Sequence, residues 1–357
     1  MHRKAIAPKT KVIQSKQRKN MDVGLLGLGA MGRRHLKALI KLDTRRIFIF
    51  DQNREVLNSV MRDFPNRNIV PCESFELMLQ DHKIDAMVVA TTAPSHFSYV
   101  CKSAEAGVRY ILCEKPMAVS VSQCLGMIEA CARHEAILAV NHLNRFMPHY
   151  GKVYEFVHSK DIGELRSMAV TASNMGLAMN GSHAIEMFQF FTGEKIEKLC
   201  FIANETVLTN PRGENYKDLS GTFLGFSSNG SRLFMDLGND LGHGVTITFG
   251  FSRGQIWLND LSGVVRVEAR QKRYNQLPSE RYGSPAKVDI FDFPSLSLEA
   301  ALEKMWAKVL SGHGFPCGIN GLHTVQVLAA AYQSREHPLK WLEVEDLEFS
   351  AECFPWA

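Results

Sequence analysis

At 357 residues the chain has room for two domains with sizeable cores, which excludes a mini-protein held together by staples. Hydrophobic residues make up 45% and charged residues 22%, values that exclude disorder as the state of the whole chain. The formal net charge of +4 is concentrated at one end: residues 1–20 hold seven Lys or Arg and no acid, and without them 34 basic side chains face 37 acids, so the body has no charge-based reason to bind nucleic acid.

Residues 1–20 lack a sustained apolar period and are expected to form a disordered basic tail. Segment 22–27 then reads as a short buried strand, 31–42 as a helix and 46–51 as a second strand, together a βαβ unit. The alternation continues with a helix near 53–63, a weak strand at 68–71, a helix at 74–81 and a strand at 85–90. A helix at 96–107, a strand at 109–113, a helix at 120–134 and a strand at 136–140 follow. Strands apolar on both faces that alternate with helices predict a doubly wound parallel sheet ending near residue 141. Beyond it the rhythm changes. A helix at 147–159, a strand at 164–173 and a helix at 183–192 precede several segments rich in Thr, Val, Phe and Leu between 197 and 270, the mark of a largely antiparallel sheet. Residues 271–296 are expected to be a polar loop, followed by helices at 297–311 and 319–334 and a returning strand at 341–349.

No apolar run approaches the roughly 18 residues needed to cross a bilayer, and no apolar stretch of a signal peptide follows the basic start. The eight cysteines are scattered without a Cys-x-x-Cys pair, which points to reduced thiols in a cytoplasm and to no metal site.

The strongest local signal is Gly27-Leu28-Gly29-Ala30-Met31-Gly32, placed between the first strand and the first helix. Gly27 permits a tight turn, Gly29 lets the backbone approach a pyrophosphate, and Gly32 lets helix pack on strand. Asp51 ends the second strand 19 residues after Gly32, close to the roughly 20 expected of the acid that accepts both ribose hydroxyls. Its charge would repel a 2′-phosphate, so NAD is favoured over NADP. Thr91, Thr92, Ala93 and His96 follow the fourth strand at the carboxyl edge, where cofactors sit in open α/β sheets, although His96 can equally cap the next helix. The fifth strand ends on the same edge with Glu114-Lys115-Pro116.

The glycine turn followed by His35, the Thr91–His96 run, the Glu-Lys-Pro triplet, the segment Asn144-Arg145-Phe146-Met147-Pro148 and His183 together resemble the Gfo/Idh/MocA family, from about Met21 almost to the C-terminus. The resemblance implies an α/β protein with an NAD-binding Rossmann domain over 21–141. A C-terminal α+β domain over 142–357 would carry a large, mostly antiparallel open sheet, bind substrate and build a homodimer or homotetramer. It also implies that Glu114 binds the nicotinamide ribose, that Lys115 lies near the reacting carbon and that Pro116 follows a cis peptide.

The family's second-domain signature is Asp, three residues, His, two residues, Asp. This chain keeps His183 but has Met179 for the first Asp and Glu186 for the second. Oxidising a secondary alcohol needs a base for the hydroxyl proton and a stabiliser of the developing alkoxide. His183 is the candidate base and Lys115 the candidate cation. Asn144, Arg145, Asn174 and Asn180 are the candidate hydrogen-bond partners of a small carbohydrate-like substrate: a sugar, a sugar derivative or a cyclitol. The resemblance leaves two rivals open. One is an NAD-dependent glycosidase that returns the hydride, as in a few relatives, and the other is a dinucleotide-binding regulator without chemistry, which Met179 favours because it cannot accept a proton. Neither nucleic acid nor a membrane is an expected partner.

Overall fold

The computed structural model describes residues 21–356 except 43, 206, 207, 209, 211, 295, 296 and 345–350. The tail expected at 1–20, and most of the strand expected at 341–349, lie outside the described residues. The chain forms two compact units. One comprises the described residues up to Ala118 together with Gln123–Asn141 and Ser297–Ile319, and the other comprises Val119–Ser122, His142–Leu296 and the residues from Asn320 onward.

The first unit alternates β1 (Asp22–Leu26), α1 (Ala30–Lys41), β2 (Arg46–Phe50), α2 (Arg54–Asp63), β3 (Ile69–Pro71), α3 (Phe75–Asp81), β4 (Ala86–Val89), α4 (Ala93–Glu105), β5 (Tyr110–Cys113), α5 (Val121–Arg133) and β6 (Ile137–Val140). The strands form one parallel sheet in the order β3-β2-β1-β4-β5-β6. Every residue of β1, β4 and β5 is buried, as both faces are covered by helices. The strand order reverses between β1 and β4, and a crevice at the carboxyl ends of such a pair is where open α/β sheets bind ligands. Helix α4 starts three residues before the expected position, because Pro94 suits a first helical turn.

The second unit contains α6 (Pro148–Ser159), β7 (Leu165–Ser173), α7 (Ser182–Thr192), β8 (Lys198–Ala203), β9 (Gly221–Phe226), β10 (Arg232–Gly238), β11 (Thr246–Phe251), β12 (Gly254–Asn259), β13 (Val264–Ala269) and β14 (Lys287–Asp292). Its sheet has the order β14-β13-β12-β11-β7-β10-β9-β8-β15, where β15 is the short strand Leu342–Glu343. All its pairings are antiparallel except β7 with β10. Strand β14 lies within the stretch expected to be loop. It pairs with β13 at the sheet edge, and its charged residues, typical of edge strands, disguise the alternation of Val288, Ile290 and their neighbours. On one face Val170, Met235, Phe249 and Leu258 are buried, whereas Ile202, Phe234, Trp257 and Ile290 on the other are 43, 38, 38 and 65% exposed.

After β14 the chain returns to the first unit with α8 (Leu298–Ser311). This helix buries Leu302, Met305, Trp306 and Val309, and Lys41 of α1 reaches Glu303 at 3.0 Å. A single cut at 141/142 therefore does not describe the two bodies, since 297–319 clusters with the parallel sheet. The chain ends with α9 (Gly318–Ser334) and the short β15 (Leu342–Glu343). Among the described residues no helix is long and apolar enough to cross a membrane.

Candidate active site

Two regions hold the residues singled out by the sequence, one in each unit. In the first unit the loop from β1 into α1 has the geometry its glycines predict. Gly27 has φ +83°, and a Cβ there would meet the Ala90 carbonyl oxygen at 2.6 Å. A Cβ on Gly32 would collide with the carbonyl of Gly27, so α1 can pack on the strand only without one. Gly29 faces open space and caps α1, whose first amides, from Ala30 and Met31 onward, have no intrahelical acceptor. Such a bare helix start with room above it suits a pyrophosphate. Asp51 is tied to the same loop: Oδ2 accepts from the Leu28 amide at 2.7 Å and Oδ1 from the Asn53 amide at 2.8 Å. Each oxygen keeps a further lone-pair direction, enough to receive ribose hydroxyls.

The next strand ends are less open than the sequence suggests. Thr92 is the N-cap of α4, and Ser95 Oγ donates to Thr91 Oγ1 at 2.7 Å. His96 is 1% exposed, with Nε2 3.0 Å from the Thr91 carbonyl and Nδ1 3.1 Å from the Pro116 carbonyl. Burial pushes its pKa below the usual histidine value despite these carbonyls. His96 is thus a buried strut between two loops and not an exposed cofactor contact. The expectation fails because position on a strand edge does not tell which way a ring points.

Glu114 is 5% exposed at the end of β5. Its Oε1 accepts from Asn141 Nδ2 at 2.7 Å and from His35 Nε2 at 2.9 Å, while the Lys115 amide lies 3.3 Å from Oε2. Burial raises its pKa, but these hydrogen bonds and the nearby positive charge outweigh that and hold it at about 2. Only Oε2 is left for a ribose hydroxyl. The Lys115–Pro116 peptide is cis, as the resemblance implies.

In the second unit His183 stands in the first turn of α7, directly after a π-helical turn at Leu177–Gly181. That turn is held by Asp218, whose carboxylate accepts from the Ala178 and Met179 amides at 2.8 Å each and from the Tyr332 hydroxyl at 3.2 Å. Gly176 is required there, because a Cβ would strike the Asp218 carboxylate. An acid at a helix start also complements the dipole. Asp218 escapes sequence reading, as nothing local links it to a turn 40 residues away.

A cavity of about 210 Å³ opens beside His183. Asn144, Tyr150, Asn180, His183 and Asp260 form its polar lining, and Val170, Met187 and Leu237 belong to its apolar part. This volume lies below the ~300 Å³ at which drug-sized sites begin, which matches a ligand of about one ring. The imidazole of His142 meets that of His183 edge to face, with centroids 5.3 Å apart.

Two expected substrate contacts are engaged elsewhere. Arg145 is only 10% exposed along its side chain, bonds the fully buried Glu186 and stacks over Phe190 at 4.2 Å. Burial raises the Glu186 pKa, opposed by Arg145. Arg145 therefore serves a buried ion pair instead of the cavity. Asn174 is exposed at φ +53°, a left-handed position that Asn tolerates, and does not line the cavity. Tyr150 and Asp260 were missed. Tyr150 carried a usable signal, lying two residues beyond the Asn144–Pro148 segment.

Comparisons with known proteins bear on the first domain and on the fold. Residues 21–142 match the oxidoreductase family with an NAD-binding Rossmann fold. Inositol 2-dehydrogenase/D-chiro-inositol 3-dehydrogenase of Shouchella clausii is 29% identical over 145 residues, 40% of this chain and 41% of that protein, so the match spans about two-fifths of each. Levoglucosan dehydrogenase in complex with NADH and levoglucosan superposes with a TM-score of 0.76 at 18% identity, covering 92% of this chain and all of that one. The super-repressor mutant of Gal80p from Saccharomyces cerevisiae does so at 0.73 and 15% identity, covering 92% and 99%. At these identities the structural likeness shows the fold alone, which is shared by a dehydrogenase and a repressor. The match over residues 21–142 shows that this segment is similar to the NAD-binding Rossmann domain of the Gfo/Idh/MocA oxidoreductases.

Proposed function

We propose that the protein is an NAD-dependent oxidoreductase that moves hydride between the nicotinamide and a secondary alcohol or ketone of a sugar, sugar derivative or cyclitol. The observation that carries this reading is a one-ring cavity with His183 and four other polar side chains on its lining, in a chain whose first domain is similar to that of an NAD-binding family. Gly27, Gly29 and Gly32 seat the pyrophosphate, with Ala30 and Met31 supplying amides, and Asp51 takes the adenosine ribose. Glu114 reaches the second ribose through Oε2. Bound there, NAD supplies the hydride acceptor. His183 removes the hydroxyl proton, and the Lys115 ammonium stabilises the developing alkoxide. Asn144 and Asn180 orient the ring.

A second copy of the chain is the proposed partner of the open sheet face, on which Phe234, Trp257 and Ile290 are exposed apolar side chains. The rival reading, cofactor binding without turnover, draws support from Met179, which stands where the family's signature has its first Asp. One experiment separates them: NADH titration of the purified protein, followed by absorbance assays over a sugar and inositol panel. Binding with turnover supports the oxidoreductase, binding without turnover supports the regulator, and no binding contradicts both.

A further inference from the structure

The turn that delivers His183 has no cap of its own. Gly176 precedes the π-helical turn and Gly181 precedes α7, and neither has a side chain to receive the amides left bare at a helix start. Leu177 and Ala178 are fully buried, so water cannot take those amides either. One pair of residues from a distant segment takes them instead. The Leu177 amide donates to the Leu219 carbonyl at 2.7 Å, and the amides of Ala178 and Met179 donate to the two carboxylate oxygens of Asp218. Asp218 is not among the described residues lining the cavity, whereas Asn180, Gly181 and His183 are. Its hold on the site therefore runs through the backbone of the turn.

That pair is itself fastened from behind. The hydroxyl of Tyr332, on α9, accepts from the Leu219 amide at 3.2 Å. Its one proton has both Asp218 Oδ1, at 3.2 Å, and the Lys217 carbonyl, at 3.1 Å, within reach. The Tyr332 ring meets those of Phe354 and Trp356 edge to face, with centroids 5.6 and 5.0 Å away, and these two rings stack on each other at 4.8 Å. Backbone bonds pin the same segment: the Lys217 amide donates to the Pro355 carbonyl at 2.8 Å and the Phe354 amide to the Val119 carbonyl at 2.9 Å. All of these residues belong to the second unit, and Phe354 and Trp356 are buried.

We propose that Asp218 is a positioning residue for His183, and that Tyr332 with the C-terminal pair Phe354 and Trp356 forms the strap that keeps it in place, so that turnover depends on a segment outside the cavity. The kinetic part rests on the oxidoreductase reading; the positioning itself does not. Its test follows hydrogen exchange of peptides covering 177–186 by mass spectrometry in the full chain, together with NADH affinity and turnover over the sugar and inositol panel. Tyr332→Phe keeps the ring and removes only the hydroxyl. It should speed exchange in 177–186 at least about fivefold, while α1 and α5 exchange as in the parent. It should also lower kcat about tenfold, with KM raised no more than about threefold and NADH affinity unchanged. Trp356→Ala does the same, and Trp356→Phe, which keeps an aromatic ring, returns both readouts to near the parent. Asp218→Asn gives the largest change; should it melt early, Tyr332→Phe decides alone. Exchange in 177–186 that stays at the parent value in Tyr332→Phe, or that rises equally throughout the second unit, would overturn the proposal, as would an active Tyr332→Phe enzyme with the parent's kcat. No turnover by the parent, with the local rise in exchange still present, would sink the oxidoreductase reading and leave the strap standing.

Discussion

The glycine loop after β1 and the stretch around His183 both lead into a helix start, yet they are built by opposite means. In the loop, backbone does the shaping: three glycines within six residues set a left-handed turn, an open approach and a close packing contact. Around His183, side chains from distant segments do it. Asp218 holds the π-helical turn, and Tyr150 and Asp260 complete the cavity from α6 and the end of β12. Local backbone geometry is encoded in neighbouring letters, whereas a side-chain cavity depends on the register of a whole sheet.

This contrast can be broken by substitution, and the largest effect belongs to the side-chain region. Arg145→Met strands the carboxylate of Glu186 in the interior and should lower unfolding stability by about 3–5 kcal/mol, as loss of one partner of a buried pair does. Chemical denaturation measures it. A loss under about 1 kcal/mol would mean that Arg145 is free for ligand after all.

Next comes acid sensitivity in the first unit. Glu114 ionises in the folded protein at about 2, below its ordinary value of 4.5, so its contribution is complete above about pH 4.5 and fades as pH falls toward 2. The stability gap between parent and Glu114→Gln, up to about 3 kcal/mol, should therefore narrow across that window. A gap independent of pH between 5 and 2 would count against the buried His35–Glu114–Asn141 network.

Within the glycine loop two neighbours should part company. Gly32→Ala forces a Cβ against backbone and costs about 1–3 kcal/mol. Gly29→Ala meets nothing in the protein and stays within about 1 kcal/mol, but weakens NADH binding about tenfold by filling the approach. Equal effects on melting would remove the distinction. The smallest effect is at Asn174: Asn174→Ala costs about 1 kcal/mol for its left-handed backbone and Asn174→Gly nothing, with KM unchanged in both. A raised KM in either variant would restore it as a substrate contact.

Much of the fold was legible because alternation of strand and helix leaves a strong periodic trace through 22–140, and the glycine roles followed from spacing alone. The second sheet was legible as a class, though β14 hid among charged residues of an edge strand. At the candidate site the residue types were easier to read than their directions. His96 and Arg145 have the chemistry of ligand contacts, but the first turned inward to carbonyls and the second to Glu186. Asn174 owes its identity to φ, not to a ligand. Asp218 and Asp260 had no local signal, since their positions depend on pairings set far along the chain.

The most direct test follows NADH formation from polyols by the parent, Lys115→Ala and His183→Ala. Loss of a base or an alkoxide stabiliser should lower kcat by about 10²-fold or more in each variant while NADH affinity stays within about twofold. Turnover by both variants at the parent rate would contradict the assignment of the chemistry to these two side chains.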